Sequence, residues 1–173
     1  MSAEDSRLRL IAAIGLATGA VLGVAGTFAP SAHLRAFAWG LDGTALVVAA
    51  ALLTIHHSRR GNDLAAAGFL VFVAGEGLIL SGAAMDLVAS TPTFAAGVSL
   101  WAASLALVSS SRVMPSAVRG LGLVASLLFT VVAVRIFLGE PLTPLSQPLP
   151  FLAYPFLAAT LCGWAWATLR EKR

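Results

Sequence analysis

An all-α bundle of six transmembrane helices, arranged as three tandem hairpins, is the fold predicted for this chain of 173 residues. Three observations predict it. The composition is 58% hydrophobic and only 11% charged, whereas soluble domains run about 45–50% apolar and about 25% charged. Six segments reach or approach the roughly 20 apolar residues that a hydrocarbon core about 30 Å thick requires of a helix. Runs such as 45–53 (ALVVAAALL) do not alternate every second residue as barrel strands must, so helices satisfy the backbone in lipid. The same figures exclude a soluble enzyme, a nucleic-acid-binding module and a disordered tail. The linkers are too short for an extramembrane domain, so the chain reads as one transmembrane domain.

The first span is Leu10–Ala29. Its length, with Glu4 and Asp5 in the leader, argues against a cleaved signal peptide, and a cut after Ala29 would place Pro30 at the disfavoured +1 position. Gly15, Gly19 and Gly23 stand four apart on one stripe. Small residues at that spacing let two helices approach closely, either inside the monomer or in a homo-oligomer. The second span, Ala36–Ile55, carries Trp39 and Asp42 and runs into His56-His57-Ser58-Arg59-Arg60. Adjacent histidines point about 100° apart on a helix, so they read as interfacial residues beside the arginines and not as ligands.

The third span, Leu64–Met85, holds Gly68, Gly75 and Gly82 at every seventh position, with Glu76 between Gly75 and Gly77. The linker Pro92–Thr93 leads to the fourth, Phe94–Ser110, with Trp101 midway. The fifth, Leu121–Leu138, places Arg135 near its end. The loop 139–150 contains four prolines and is expected to be stiff and extended, lying across the outer mouth. The sixth, Phe151–Leu169, carries Pro155 one turn in, where a kink is expected. Trp39, Tyr154, Trp164 and Trp166 fit interfacial aromatic belts.

Net charge is +3 and the isoelectric point is about 10.0. The basic residues sit at the ends of apolar segments, a pattern of membrane topology and not of nucleic-acid binding. With the N-terminus inside, Arg7, Arg9, Arg59, Arg60, Arg112, Arg119, Arg170, Lys172 and Arg173 fall on the cytoplasmic side and only Arg35 and Arg135 outside. That asymmetry places both termini in the cytoplasm of a bacterial-type inner membrane.

Each hairpin returns to the same face, giving a weak threefold parallel repeat. Gly15, Gly19, Gly23 and then Phe28-Ala29-Pro30 resemble the glycine-spaced helix ending in an aromatic-x-Pro step of the acid-resistance HdeD-like membrane proteins of bacteria. Phe137-Leu138-Gly139-Glu140-Pro141 echoes it more loosely, and Ala89-Ser90-Thr91-Pro92 lacks the aromatic. The resemblance covers the whole topology and implies an envelope-stress or housekeeping role without a defined chemistry.

Two carboxylates, Asp42 and Glu76, lie well inside apolar segments. A charge at the bilayer centre costs roughly 2.5–3.5 kcal/mol even on a lenient scale. Such groups face the bundle interior or a water-filled cavity, and either meet a base or carry a proton. The bases at hand are Arg35, on the same face as Asp42 with Trp39 between, and Arg135. Arg35, Asp42, Glu76, Asp86, Arg135 and Glu140 all fall in the middle or outer half, and none lies deep in the inner half. This one-sidedness predicts an outward-opening polar pocket of Glu76, Asp42, Arg135, Arg35 and Trp101, packed by Gly15, Gly19, Gly23, Gly75 and Gly82. The charges either fix helix pairing or bind a solute or proton.

The lone Cys162 excludes an internal disulfide. No metal-ligand spacing, nucleotide loop or nucleophile elbow occurs, so no cofactor, no metal and no enzymatic activity are expected. Partners are membrane lipids and, in one reading of the glycines, a second copy. Three functions follow in order: a non-enzymatic envelope protein of the HdeD-like kind; a small-solute or proton-coupled transporter or channel using Glu76, Asp42 and Arg135; and, with least support, an intramembrane enzyme acting on a lipid.

Overall fold

The computed structural model describes residues 3–170; Lys172 and Arg173 of the basic set lie outside the described residues. Six helices follow one another: α1 (Ala3–Thr27), α2 (Ala32–Arg59), α3 (Asp63–Gly82), α4 (Thr91–Ser110), α5 (Ser116–Phe137) and α6 (Tyr154–Arg170). No strand occurs among the described residues. Five of the helices, α1 to α5, are long and apolar enough to cross a membrane. α6 has 17 residues.

Each helix packs on the next, and α6 returns to pack on α1, so the six close into a ring. The neighbours α2 and α3, and α4 and α5, touch as the hairpin partners do. The hairpins are therefore units of sequence, not separate packing units. Asp5 of α1 meets His56 and Arg60, and the Arg9 guanidinium donates to the Thr168 carbonyl at 3.5 Å. The start of α1 and the ends of α2 and α6 thus share one end of the ring, here the terminal end. The connections 28–31, 83–90 and 138–153 lie at the far end.

The helix boundaries have local causes. Ser31 caps α2, its hydroxyl accepting from Leu34 N at 3.3 Å. Gly61 at φ +70° lets the chain turn between α2 and α3, where Asn62 N–H bonds to the His57 carbonyl at 2.9 Å. α6 begins at Tyr154, so Pro155 falls in the first turn, where a missing N–H leaves no bond unmade. The expected kink one turn into the sixth helix does not arise, because residues 151–153 form turns and not helix.

The ring is solid through much of its interior. Phe69 meets Trp164 edge-on at 4.9 Å, Trp164 meets Phe72 at 5.8 Å, Phe72 stacks on Trp101 at 6.1 Å, and Trp101 meets Phe129 at 5.4 Å. Trp164 is fully buried, a core residue and not an interfacial one, whereas Trp166 stays exposed. Aromatic contacts of this geometry add about 0.5–1.5 kcal/mol each beyond the area they bury. The outer surface is apolar: Leu10, Ile14, Val21, Phe37, Val48, Leu70, Leu127 and Phe137 are all exposed.

Candidate functional site

A cavity of about 80 Å³ occupies the far half of the ring. α1, α2, α3, α4, α6 and the last loop line it; α5 does not. From α2 come Trp39, Asp42 and Leu46, which share one helical face by their spacing of three and four. From α1 come Gly19, Gly23 and Thr27, again at spacings of four. The α1 glycines are there for Asp42. A Cβ on Gly23 would stand 2.9 Å from Asp42 Oδ2, and one on Gly19 would stand 3.0 Å from Oδ1 and overlap the Leu46 side chain. Gly15 lies deeper, where a Cβ would come within 2.8 Å of the Ala45 carbonyl oxygen and would strike Ala49. Within this ring, the Gly15, Gly19, Gly23 stripe packs α1 on α2.

Glu76 is 1% exposed. It follows Phe69 and Phe72 on the inward stripe of α3 and precedes Ile79, which lines the cavity. Its Oε1 lies against Gly43, where an added Cβ would be 3.2 Å away, so the carboxyl sits beside the residue after Asp42. The two acids are near enough for each to feel the other's charge, and the Trp101 indole lies alongside Glu76. No well-formed hydrogen bond joins them: Asp42 Oδ1, Glu76 Oε2 and Trp101 Nε1 are all buried without a partner. Gly75 packs on Leu100, Gly97 and Trp101, and Gly82 on Thr93, bringing α3 against α4.

The structure therefore gathers Asp42, Glu76 and Trp101, and it separates Arg135 and Arg35 from them. Arg135 turns to Glu140, with Nη2 to Oε2 at 2.6 Å and Nε to Oε1 at 2.9 Å. That bidentate bond holds the Glu140 carboxyl below the usual carboxylate range. Arg35 stacks toward Trp39, its guanidinium 5.9 Å from the ring centroid, and does not line the cavity. Arg35 and Asp42 share a helix face in sequence, yet no ion pair joins them among the described residues, and Arg35 Nε is buried without a hydrogen-bond partner. Asp86 caps a turn through Val88 N at 2.9 Å.

Phe94, Thr93 and Ser90 line the cavity without having carried a signal in the sequence, and Tyr154, expected in an aromatic belt, lines it too. The proline-rich loop is built of turns instead of an extended run. Pro144 reaches the cavity, and its carbonyl accepts from the Tyr154 hydroxyl at 2.8 Å.

The terminal end holds a second polar cluster that the expected one-sidedness left out. Arg9, His56 and His57 are 8%, 2% and 4% exposed. His56 Nδ1 is 3.1 Å from Asp5 Oδ1, Arg60 is 3.5 Å from Asp5 Oδ2, and Arg9 is 4.0 Å from it. These groups enter the ring because α1 begins at Ala3 and α2 continues to Arg59, each beyond the apolar span. The two histidines are buried within the terminal end of the ring. Among the described residues, no group of three histidine, cysteine or acidic side chains is placed to hold a metal. Comparison with protein-family models, with curated proteins and with solved structures returned no match.

Proposed function

We propose that this is a multi-pass inner-membrane protein, both termini cytoplasmic, that binds a proton or a small cation in its outer half and moves it by rearranging the ring. The carrying observation is the pairing of Asp42 with Glu76 in one buried site that no basic side chain enters. Acids that only fixed helix pairing would meet a base. Of the two arginines expected there, Arg135 is bound to Glu140, and Arg35 lies over the Trp39 ring and does not line the cavity. Buried acids within membrane spans mark solute sites and proton relays.

The apolar perimeter and five long apolar helices support the membrane placement. The aromatic column from Phe69 to Phe129 blocks a straight path and favours a gated carrier over an open pore. The resemblance to HdeD-like proteins adds an envelope setting to this reading and no chemistry.

Proteoliposomes test it directly. Wild-type protein dissipates an imposed proton or small-cation gradient, and Glu76→Gln, folded and inserted to the same extent, does not. Absence of both flux and binding for protons and every small cation tried would refute the proposal.

A further inference from the structure

The identity of the cation follows from which hydrogen-bonding capacity the cavity wall has left over; this step rests on the cation-binding reading above. Four hydroxyl-bearing residues line the cavity: Thr27, Ser90, Thr93 and Tyr154. Each already donates its proton to a backbone carbonyl: Thr27 to Gly23 at 3.0 Å, Ser90 to Leu87 at 2.9 Å, Thr93 to Ser90 at 2.8 Å and Tyr154 to Pro144 at 2.8 Å. The Trp39 indole is committed too, its Nε1 donating to the Gly23 carbonyl at 3.3 Å. A hydroxyl whose proton is engaged can offer only its lone pairs. Asp42 adds a carboxylate whose Oδ1 is buried and unpartnered. Behind it, Glu76 adds a second acid with an unpartnered Oε2. Apart from Trp101 Nε1, an unpartnered donor on the Glu76 side, the side chains of the wall offer acceptors and one acidic group, Asp42, and the remaining surface is largely aromatic and aliphatic: Trp39, Trp101, Phe94, Leu157 and Leu161.

Three ligand classes are disfavoured by that inventory. An anion would meet Asp42, with Glu76 close behind it. A hard metal cation wants six or more oxygens in a tight shell, and here the oxygens are dispersed among aromatic rings. A quaternary ammonium has charge but no N–H, so it would leave the acceptors unmet. A protonated primary amine answers both features, donating up to three N–H bonds while its alkyl part and charge lie against aromatic faces. Size narrows it further. The cavity is about 80 Å³, roughly half the 150 Å³ that accommodates benzene, so about three non-hydrogen atoms fit.

We propose that the Asp42 cavity is a binding site for small protonated primary amines of the methylammonium or ethylammonium size.

The test is equilibrium binding to the whole purified protein in detergent, read by tryptophan fluorescence and calorimetry, since Trp39 and Trp101 line the site. The probes are the chlorides of methylammonium, tetramethylammonium, butylammonium and sodium at matched ionic strength. Methylammonium is expected to bind saturably and about tenfold or more tighter than the other three. Asp42→Asn is expected to weaken it by a similar factor while the melting temperature is kept. Should that variant fail to fold, Gly23→Ala serves instead, because its Cβ intrudes beside Asp42 Oδ2, and the wild-type ligand series decides the matter without any variant. Equal binding of tetramethylammonium or butylammonium would overturn the amine assignment. Sodium binding lost in Asp42→Asn, with methylammonium silent, would overturn it and leave the cation-site reading standing. Silence of all four would overturn the amine assignment alone if proton flux persists, and both readings if it does not.

Discussion

The two ends of the ring handle buried charge in opposite ways. At the terminal end Asp5 lies among Arg9, His56 and Arg60, so an acid is surrounded by donors from two helices. At the far end Asp42 and Glu76 face each other with no basic side chain between them, and Arg135 is spent on Glu140 in the adjoining loop. The first arrangement is self-sufficient and ties the N-terminal turn of α1 to the last turn of α2. The second has no built-in base, and Asp42 Oδ1 and Glu76 Oε2 are left without a hydrogen-bond partner. Acids paired within the fold and acids open to the proposed ligand can thus be told apart by whether a base is built in.

Loss of function gives the largest contrast. Asp42→Asn and Glu76→Gln each abolish cation flux in proteoliposomes, whereas Asp5→Asn leaves the flux per folded molecule unchanged. Flux that survives both far-end substitutions would erase the distinction.

Stability should then move in opposite directions. Asp5→Ala removes the acid that His56, Arg60 and Arg9 approach, and a loss of about 2–3 kcal/mol is expected, below the 3–5 kcal/mol of a fully buried pair because Asp5 keeps some solvent contact. Glu76→Gln relieves an uncompensated buried acid and is expected to leave stability unchanged or raise it by about 1 kcal/mol. Detergent melting curves of the two variants check the sign as well as the size. Packing around Asp42 supplies the next effect. Gly23→Ala sets a Cβ 2.9 Å from Oδ2 and costs about 1–3 kcal/mol, while alanine at Gly40, with nothing within 4 Å, is neutral or slightly stabilising.

The smallest effect belongs to the exposed Arg135–Glu140 pair. Glu140 is held below its ordinary value of 4.5 by the Arg135 hydrogen bonds. A lowered acid contributes stability that is present above the unfolded value and is lost as pH falls through the folded one. The slight melting difference between wild type and Glu140→Gln should therefore be steady near neutrality and close as the pH drops below 4.5. A difference that grows on acidification would contradict the pairing.

Much of the fold was legible because hydrophobic length and glycine spacing act through general physics. The long apolar helices follow from composition, and Gly15, Gly19 and Gly23 mark a close-packed face whatever the partner. Asp42, Glu76 and Trp101 stood out for the same reason: polar groups inside apolar runs need a shared interior. That Arg135 would not join those acids was not legible. Arg135 lies five residues before Glu140, and a local bidentate bond outcompeted any contact across the bundle. The terminal cluster was hidden because helices continue past the apolar stretch; Asp5, Arg9 and His56 looked like flanks until the helices were seen to reach them. The cavity hydroxyls carry no periodicity at all, and only their bonds to backbone carbonyls reveal which way their protons point.

Closure of the ring by α6 against α1 bears on how the molecule is made. Synthesis proceeds from the N-terminus, so the segment carrying Trp164 emerges last. Until it docks, the rings of Phe69 and Phe72 lack the neighbour that covers them, and the cavity lacks Tyr154 and Leu157. Without the final helix the ring is open between α5 and α1, and the cavity is missing one wall.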